Sequence, residues 1–181
     1  MTFEKATDIE KKLVSKDLSV INACLDLAKD LVTTEQGRDE AVRGRAGNLL
    51  GFAGIVAALT TDLVTLIQVI RTKNQCLFFL TGTLYVVMLG SLFVSIWLAF
   101  GGNRRFVTAR PNIDDIVDYQ ALNELETKKS WLASLISAYK VTADNVNKRV
   151  TTLYTAQQFL TFALILLLIT VALGVVALAL P

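Results

Sequence analysis

The residues that could do chemistry in this chain are few, and the most conspicuous sits inside an apolar helix. Residues 45 to 71 read RAGNLLGFAGIVAALTTDLVTLIQVIR. Within that run Gly47, Gly51, Gly54, Ala58, Thr61, Thr65 and Gln68 recur at 4-3-4-3-4-3 spacing, which places them on one helical face. Asp62 stands at the edge of the stripe, beside its polar half. On the opposite face Leu49, Phe52, Val56, Leu59, Leu63, Leu66 and Ile70 repeat at 3-4-3-4-3-4. The pattern predicts a two-sided helix, with large residues toward lipid or filling space and small or polar ones toward protein or water.

Small residues let helix backbones approach closely, and threonine hydroxyls hydrogen-bond across helices, so close packing accounts for the glycine half. The polar half demands more. Asp62 lies about three residues, or ~5 Å, past the middle of the apolar run. A charged aspartate at the centre of a membrane helix costs ~2.5–3.5 kcal/mol on insertion scales, so it does not face lipid. Three environments satisfy it: a protonated carboxyl bonded to a neighbour, a pair with Arg71 reached through local bending, or a watery cavity or pore. One chain has too few helices to enclose a channel. A pore therefore requires several copies, each presenting the stripe to a common axis, where a ring of carboxylates favours cations.

Catalytic chemistry is otherwise scarce. The sequence has no histidine, which removes imidazole acid–base catalysis, the usual triads and most transition-metal sites. No glycine-rich phosphate loop with a following lysine occurs, and no carboxylate pair stands in a catalytic context. The chain is therefore read as a non-enzyme without a cofactor. Neither the spacing nor the neighbours of Cys24 and Cys76 make a metal site. The net charge of +2 is too small, and its acids and bases too interleaved, to indicate nucleic acid.

The elements that position the stripe follow from the apolar blocks. Three stretches, about Asn48 to Ile70, Cys76 to Phe100 and Phe159 to Leu180, are nearly free of charge. Each has the ~20 residues that span a bilayer core. The expected fold is an all-α membrane protein with three transmembrane helices. Lys and Arg set its orientation. Eight precede the first span, two lie between spans one and two, eight between spans two and three, and none follows the third. The N-terminus and second loop are thus expected in the cytoplasm and the C-terminus outside, with no signal peptide. Cys24 and Cys76 then lie on opposite sides of the membrane and form no intrachain disulfide.

The organisation expected is a cytoplasmic amphipathic helix and hinge over 1–46, a transmembrane hairpin over 47–100, a cytoplasmic loop and long helix over 101–157, and a third span over 158–181. Residues 2 to 33 read as one helix with two adjacent apolar stripes. One is Ile9, Leu13, Val20, Cys24, Leu27 and Leu31; the other is Val14, Leu18, Ile21, Leu25, Ala28 and Val32. Residues 33 to 47, with Gly37, Gly44 and Gly47, read as a bend or hinge. Asn112 reads as a helix cap, with Asp114, Asp115 and Asp118 suiting the helix dipole. From there to Gln158 neither Pro nor Gly interrupts. Leu122, Leu125, Lys129, Leu132, Ile136, Tyr139, Ala143, Val146, Val150 and Leu153 form a heptad-like seam. That seam can take the N-terminal helix or self-associate.

Two segments together resemble a known group. GRAGNLLGFAGIVAAL leads into span one, and SAYKVTADNVNKRVTTLYTAQQFLTFALILLL leads into span three. They are similar to the corresponding segments of small prokaryotic transmembrane effectors of antiphage systems, the Pycsar transmembrane effector family and the SLATT group. The similarity covers about half the chain and transfers no functional residue. It implies a homo-oligomer in the prokaryotic inner membrane that permeabilises or depolarises the bilayer when activated. No cyclic-nucleotide-binding domain is visible in the sequence. Sensing is therefore expected at the cytoplasmic helices or in a soluble sensor or signal-producing partner. The other readings are a non-conducting anchor or scaffold that recruits a partner through those helices, and a phage-type holin.

Overall fold

A computed structural model describes residues 6–73, 75–103 and 123–179, with Lys73 described for its backbone alone. All of the described regular structure is helical: α1 (Ala6–Glu10), α2 (Leu18–Lys73), α3 (Gln75–Asn103) and α4 (Glu124–Ala179). Three of these, α2, α3 and α4, contain stretches long and apolar enough to cross a membrane. With 56 residues each, α2 and α4 run well beyond the ~20 residues a bilayer core requires. The chain divides into two compact units, Met1–Ala41 with Arg105–Lys148 and Val42–Arg104 with Arg149–Pro181.

The first unit pairs α2 with α4. Ile21, Leu25 and Ala28 pack on Leu132 and Leu135. Of the two apolar stripes in the N-terminal segment, the one carrying Ile21, Leu25, Ala28 and Val32 is turned inward. The other is divided: Ile9 is buried and Leu13 packs on the same cluster, whereas Val20, Cys24, Leu27 and Leu31 are exposed, as is Val14 of the inward stripe. Polar contacts accompany the packing. The Ser130 hydroxyl donates to Glu10 Oε1 at 2.8 Å. Arg38 donates through Nη1 to the buried Glu35 carboxylate at 2.6 Å and through Nη2 to Asn147 Oδ1 at 3.2 Å.

Three expectations about helix boundaries are corrected. The helix expected over 2–33 is broken: α1 stops at Glu10, and α2 starts afresh at Leu18. The cause is a polar cap. Asp17 Oδ1 accepts from the Ser19 amide at 2.9 Å and the Ser19 hydroxyl at 2.8 Å, satisfying donors that the first turn leaves open. The hinge expected over 33–47 is instead continuous helix. Each isolated glycine there costs only about 1 kcal/mol relative to alanine. Buried side chains at Glu35, Asp39, Val42 and Ala46 anchor every turn. The long helix expected without interruption from Asn112 begins at Glu124. Asn123 Oδ1 accepts from the Glu126 amide at 2.9 Å, with Glu124 and Glu126 in the first turn. Asn112, Asp114, Asp115, Asp118 and Leu122 lie outside the described residues.

The second unit is a three-helix bundle. The expected hairpin is present, with α2 ending at Lys73 and α3 starting at Gln75. Its core joins Ala53, Val56 and Leu63 of α2, Met88 and Leu92 of α3, and Leu160, Ala163 and Leu166 of α4. Polar groups reinforce it. Ser91 and Ser95 donate to the Phe159 and Ala156 carbonyls of α4, both at 2.8 Å. Two glycines bring the helices close: a Cβ at Gly102 would meet Leu153 Cδ2 at 2.8 Å, and one at Gly174 would meet Leu66 Cγ at 2.9 Å. By these contacts α4 runs parallel to α2 and antiparallel to α3.

Two tests follow from this packing. Ser91→Ala with Ser95→Ala removes two interhelical hydrogen bonds, each worth about 0.6 kcal/mol in membrane bundles. Gly174→Val overpacks against Leu66 and costs ~1–3 kcal/mol. Thermal unfolding in detergent, followed by circular dichroism, should show both proteins melting below the parent. At the other unit, the Ser19 side-chain and backbone hydrogen bonds hold the Asp17 carboxyl below its ordinary range. A depressed native pKa means that the cap stabilises above the unfolded value of ~3.9 and that this contribution is lost as pH falls through the native one. Asp17→Ala should therefore speed amide exchange at Ser19 and Val20 at neutral pH. Acidification should reproduce that effect in the parent after correction for intrinsic rates.

Candidate functional site: the outward stripe of the first membrane helix

The side of α2 that enters the bundle core carries Ala46, Ala53, Val56, Thr60, Leu63, Ile67 and Ile70, all buried. The glycine and polar stripe lies on the other side. Gly47, Gly51, Gly54, Ala58, Thr61, Asp62, Thr65 and Gln68 are every one exposed. A Cβ placed on Gly47, Gly51 or Gly54 would meet nothing within 4 Å. The small residues therefore do not serve helix packing among the described residues. That work falls to the opposite face, where Val56, Leu63 and Ile70 are buried and Leu49 and Leu66 half-buried. Phe52 and Leu59 remain exposed.

The polar members differ in how far they are satisfied. Thr61 donates to the Ala58 carbonyl and Thr65 to the Asp62 carbonyl, both at 2.6 Å. Such back-bonding lets a threonine hydroxyl sit in an apolar setting. Asp62 has no equivalent. Among the described residues no hydrogen bond or ion pair engages its carboxylate. The Arg71 pairing weighed for it is not formed, since the Arg71 guanidinium lies 5.7 Å above the Phe78 ring. An unpartnered carboxylate thus stands on an exposed helical face, with Ala58, Leu59, Thr65 and Leu66 one turn away along the helix.

The seam of α4 is divided between the units. In the first, Leu132 and Val146 are buried, and Leu125, Lys129, Ile136, Tyr139 and Ala143 are partly so. Leu132 packs on α2, so this part of the seam takes the N-terminal helix of its own chain. In the second, Leu153 is buried against Gly102, but Val150 is 42% exposed and Arg149 only 3%. The inward line through this turn therefore passes through an arginine that heptad counting skipped. A second feature missed from sequence is the pair of buried carboxylates, Glu35 and Asp39. Their 4-residue spacing on the line to Val42 and Ala46 was the available signal, obscured by treating the segment as a hinge. No protein family, curated protein or solved structure matches this chain.

Proposed function

We propose that the chain is a three-span membrane protein with its N-terminus and the 101–157 segment in the cytoplasm and its C-terminus outside. In this reading several copies associate around the stripe of α2 and form a channel-like effector that permeabilises or depolarises the membrane on a cytoplasmic signal. The observation that carries the reading is the unpartnered Asp62 on an open face of small and polar residues. In a lone chain that face would meet hydrocarbon, at a cost of ~2.5–3.5 kcal/mol for the carboxylate alone. Burial between copies, or around water, removes that cost. Glycines with nothing within 4 Å allow close helix approach at the same surface. The resemblance to antiphage transmembrane effectors points the same way. Signal input is assigned to the soluble helices or to a partner protein, and no catalytic step is involved.

The second reading is a non-conducting anchor. It is favoured by the exposed stripe of Val20, Cys24, Leu27 and Leu31, which the described residues leave uncovered and which suits recruitment of a soluble partner. Ion flux through reconstituted protein separates the two, since an anchor does not leak.

Orientation is read by thiol labelling. A membrane-impermeant reagent on intact cells should miss Cys24 and reach Cys76, both of which are exposed. Labelling of Cys24 alone reverses the topology. The pore role is read at Asp62. Asp62→Asn keeps shape and removes charge, so cation flux should fall while oligomer size persists. Asp62→Leu also removes polarity and should abolish flux by dewetting. Equal flux and equal selectivity for Asp62→Asn and the parent would sink the pore role.

A further inference from the structure

The membrane unit holds a cleft of about 630 Å³ between α2 and α4, within the ~300–1,000 Å³ of sites that accept a small ligand. Its lining changes character along its length. Arg45, Tyr154 and Gln157 contribute from the N-terminal side of each helix, and Phe52, Leu160 and Leu164 from further along. Because α2 and α4 run parallel here, the polar side chains of Arg45, Asn48, Tyr154 and Gln157 gather toward one end, interleaved with Val42, Val150 and Leu153, while Phe52, Leu160 and Leu164 dominate the other, with Thr161 among them. With the three helices crossing a membrane, the polar end lies where the nearly charge-free run of α2 begins, at the depth of lipid headgroups, and the apolar end lies beside hydrocarbon. Among the described residues no hydrogen bond or ion pair engages the side chains of Arg45, Tyr154 or Gln157. Arg45 thus lines the cleft with guanidinium donors that no described residue engages.

We propose that this cleft binds one anionic phospholipid. Its phosphate sits on Arg45, whose planar donor pair matches two phosphate oxygens. Its ester region lies against Tyr154 and Gln157, and one acyl chain runs along Phe52, Leu160 and Leu164. Basic pockets between membrane helices recognise such headgroups by this combination of charge and apolar wall. A soluble anion would match Arg45 but make no use of the apolar end. A helix from a second copy would need an acid at the depth of Arg45, and the outward stripe carries its one acid, Asp62, 17 residues further along. The proposal rests on the three helices crossing a membrane and is independent of conductance.

The test uses the full chain, delipidated in detergent and supplied with phosphatidylglycerol and phosphatidylcholine of matched acyl chains, with retained lipid counted by native mass spectrometry. The parent should retain phosphatidylglycerol in preference. Arg45→Gln should lower that preference about fivefold, as expected for one cationic contact near a headgroup. Thr161→Trp, which fills the apolar end, should reduce retention of both lipids. Alkaline extraction of membranes, with both variants remaining in the pellet, separates loss of lipid from failed insertion. A parent without preference overturns the proposal, as does an Arg45→Gln protein with the parent's preference. Displacement of phosphatidylglycerol by millimolar inorganic phosphate would assign the cleft to a soluble anion instead. Unchanged retention in Thr161→Trp would refute the acyl placement.

Discussion

The packing of Ala53, Val56 and Leu63 on Leu160, Ala163 and Leu166 decides where everything else in the membrane unit points. A helix buried on one face has only its remaining surface to offer. Once α2 turns its aliphatic line toward α3 and α4, Gly47 through Gln68 on the opposite line must face outward. The Ser91 and Ser95 hydrogen bonds and the tight seats of Gly102 and Gly174 hold that choice, because each ties a neighbouring helix at close range. In hydrocarbon there is no water to accept a displaced donor, so rotating α2 would have to satisfy such groups elsewhere.

The two apolar environments of the chain are managed differently. In the membrane unit, threonines fold their hydroxyls back on their own helix: Thr81 donates to Leu77 and the buried Thr170 to Leu166. The Asp62 carboxylate has no such bond among the described residues, and that motivates the proposed assembly. In the other unit, charge is drawn inward and matched. Glu35 meets Arg38, and Arg38 reaches on to Asn147 across the helix pair. These contacts fall in the segment with the most glycine before the first apolar run, where intrinsic helix propensity is weakest. They help explain why α2 continues through it.

Much of this was legible in the sequence because its physics is local. Three runs nearly free of charge and longer than a bilayer is thick, with only Arg71 to Gln75 between the first two, require no tertiary knowledge. The 4-3-4-3 alternation on α2 separates a small, polar face from a large, apolar one for the same reason. The helix boundaries were less accessible. Asp17 and Asn123 end up as caps, yet each lies in a stretch whose apolar periodicity continues past it, and periodicity carries no record of a side chain bonding to the backbone. The hinge failed as an expectation because glycine weakens a helix only locally, whereas side-chain burial on both sides supports it.

What the sequence determined by itself is therefore the helical class, the three membrane-length segments and the existence of a two-faced first span. Which face of that span would be used inside the chain was left to tertiary structure. Both faces were suited to packing, one by small size and one by apolar area, and the sequence contains no preference between them. The neighbours resolved it: α3 and α4 present Met88, Leu92, Leu160 and Leu166, which fill against aliphatic side chains. The same contacts decided that Arg149 rather than Val150 turns inward, and that Arg45 stands at the mouth of a cleft, since both depend on the register between helices far apart in the chain.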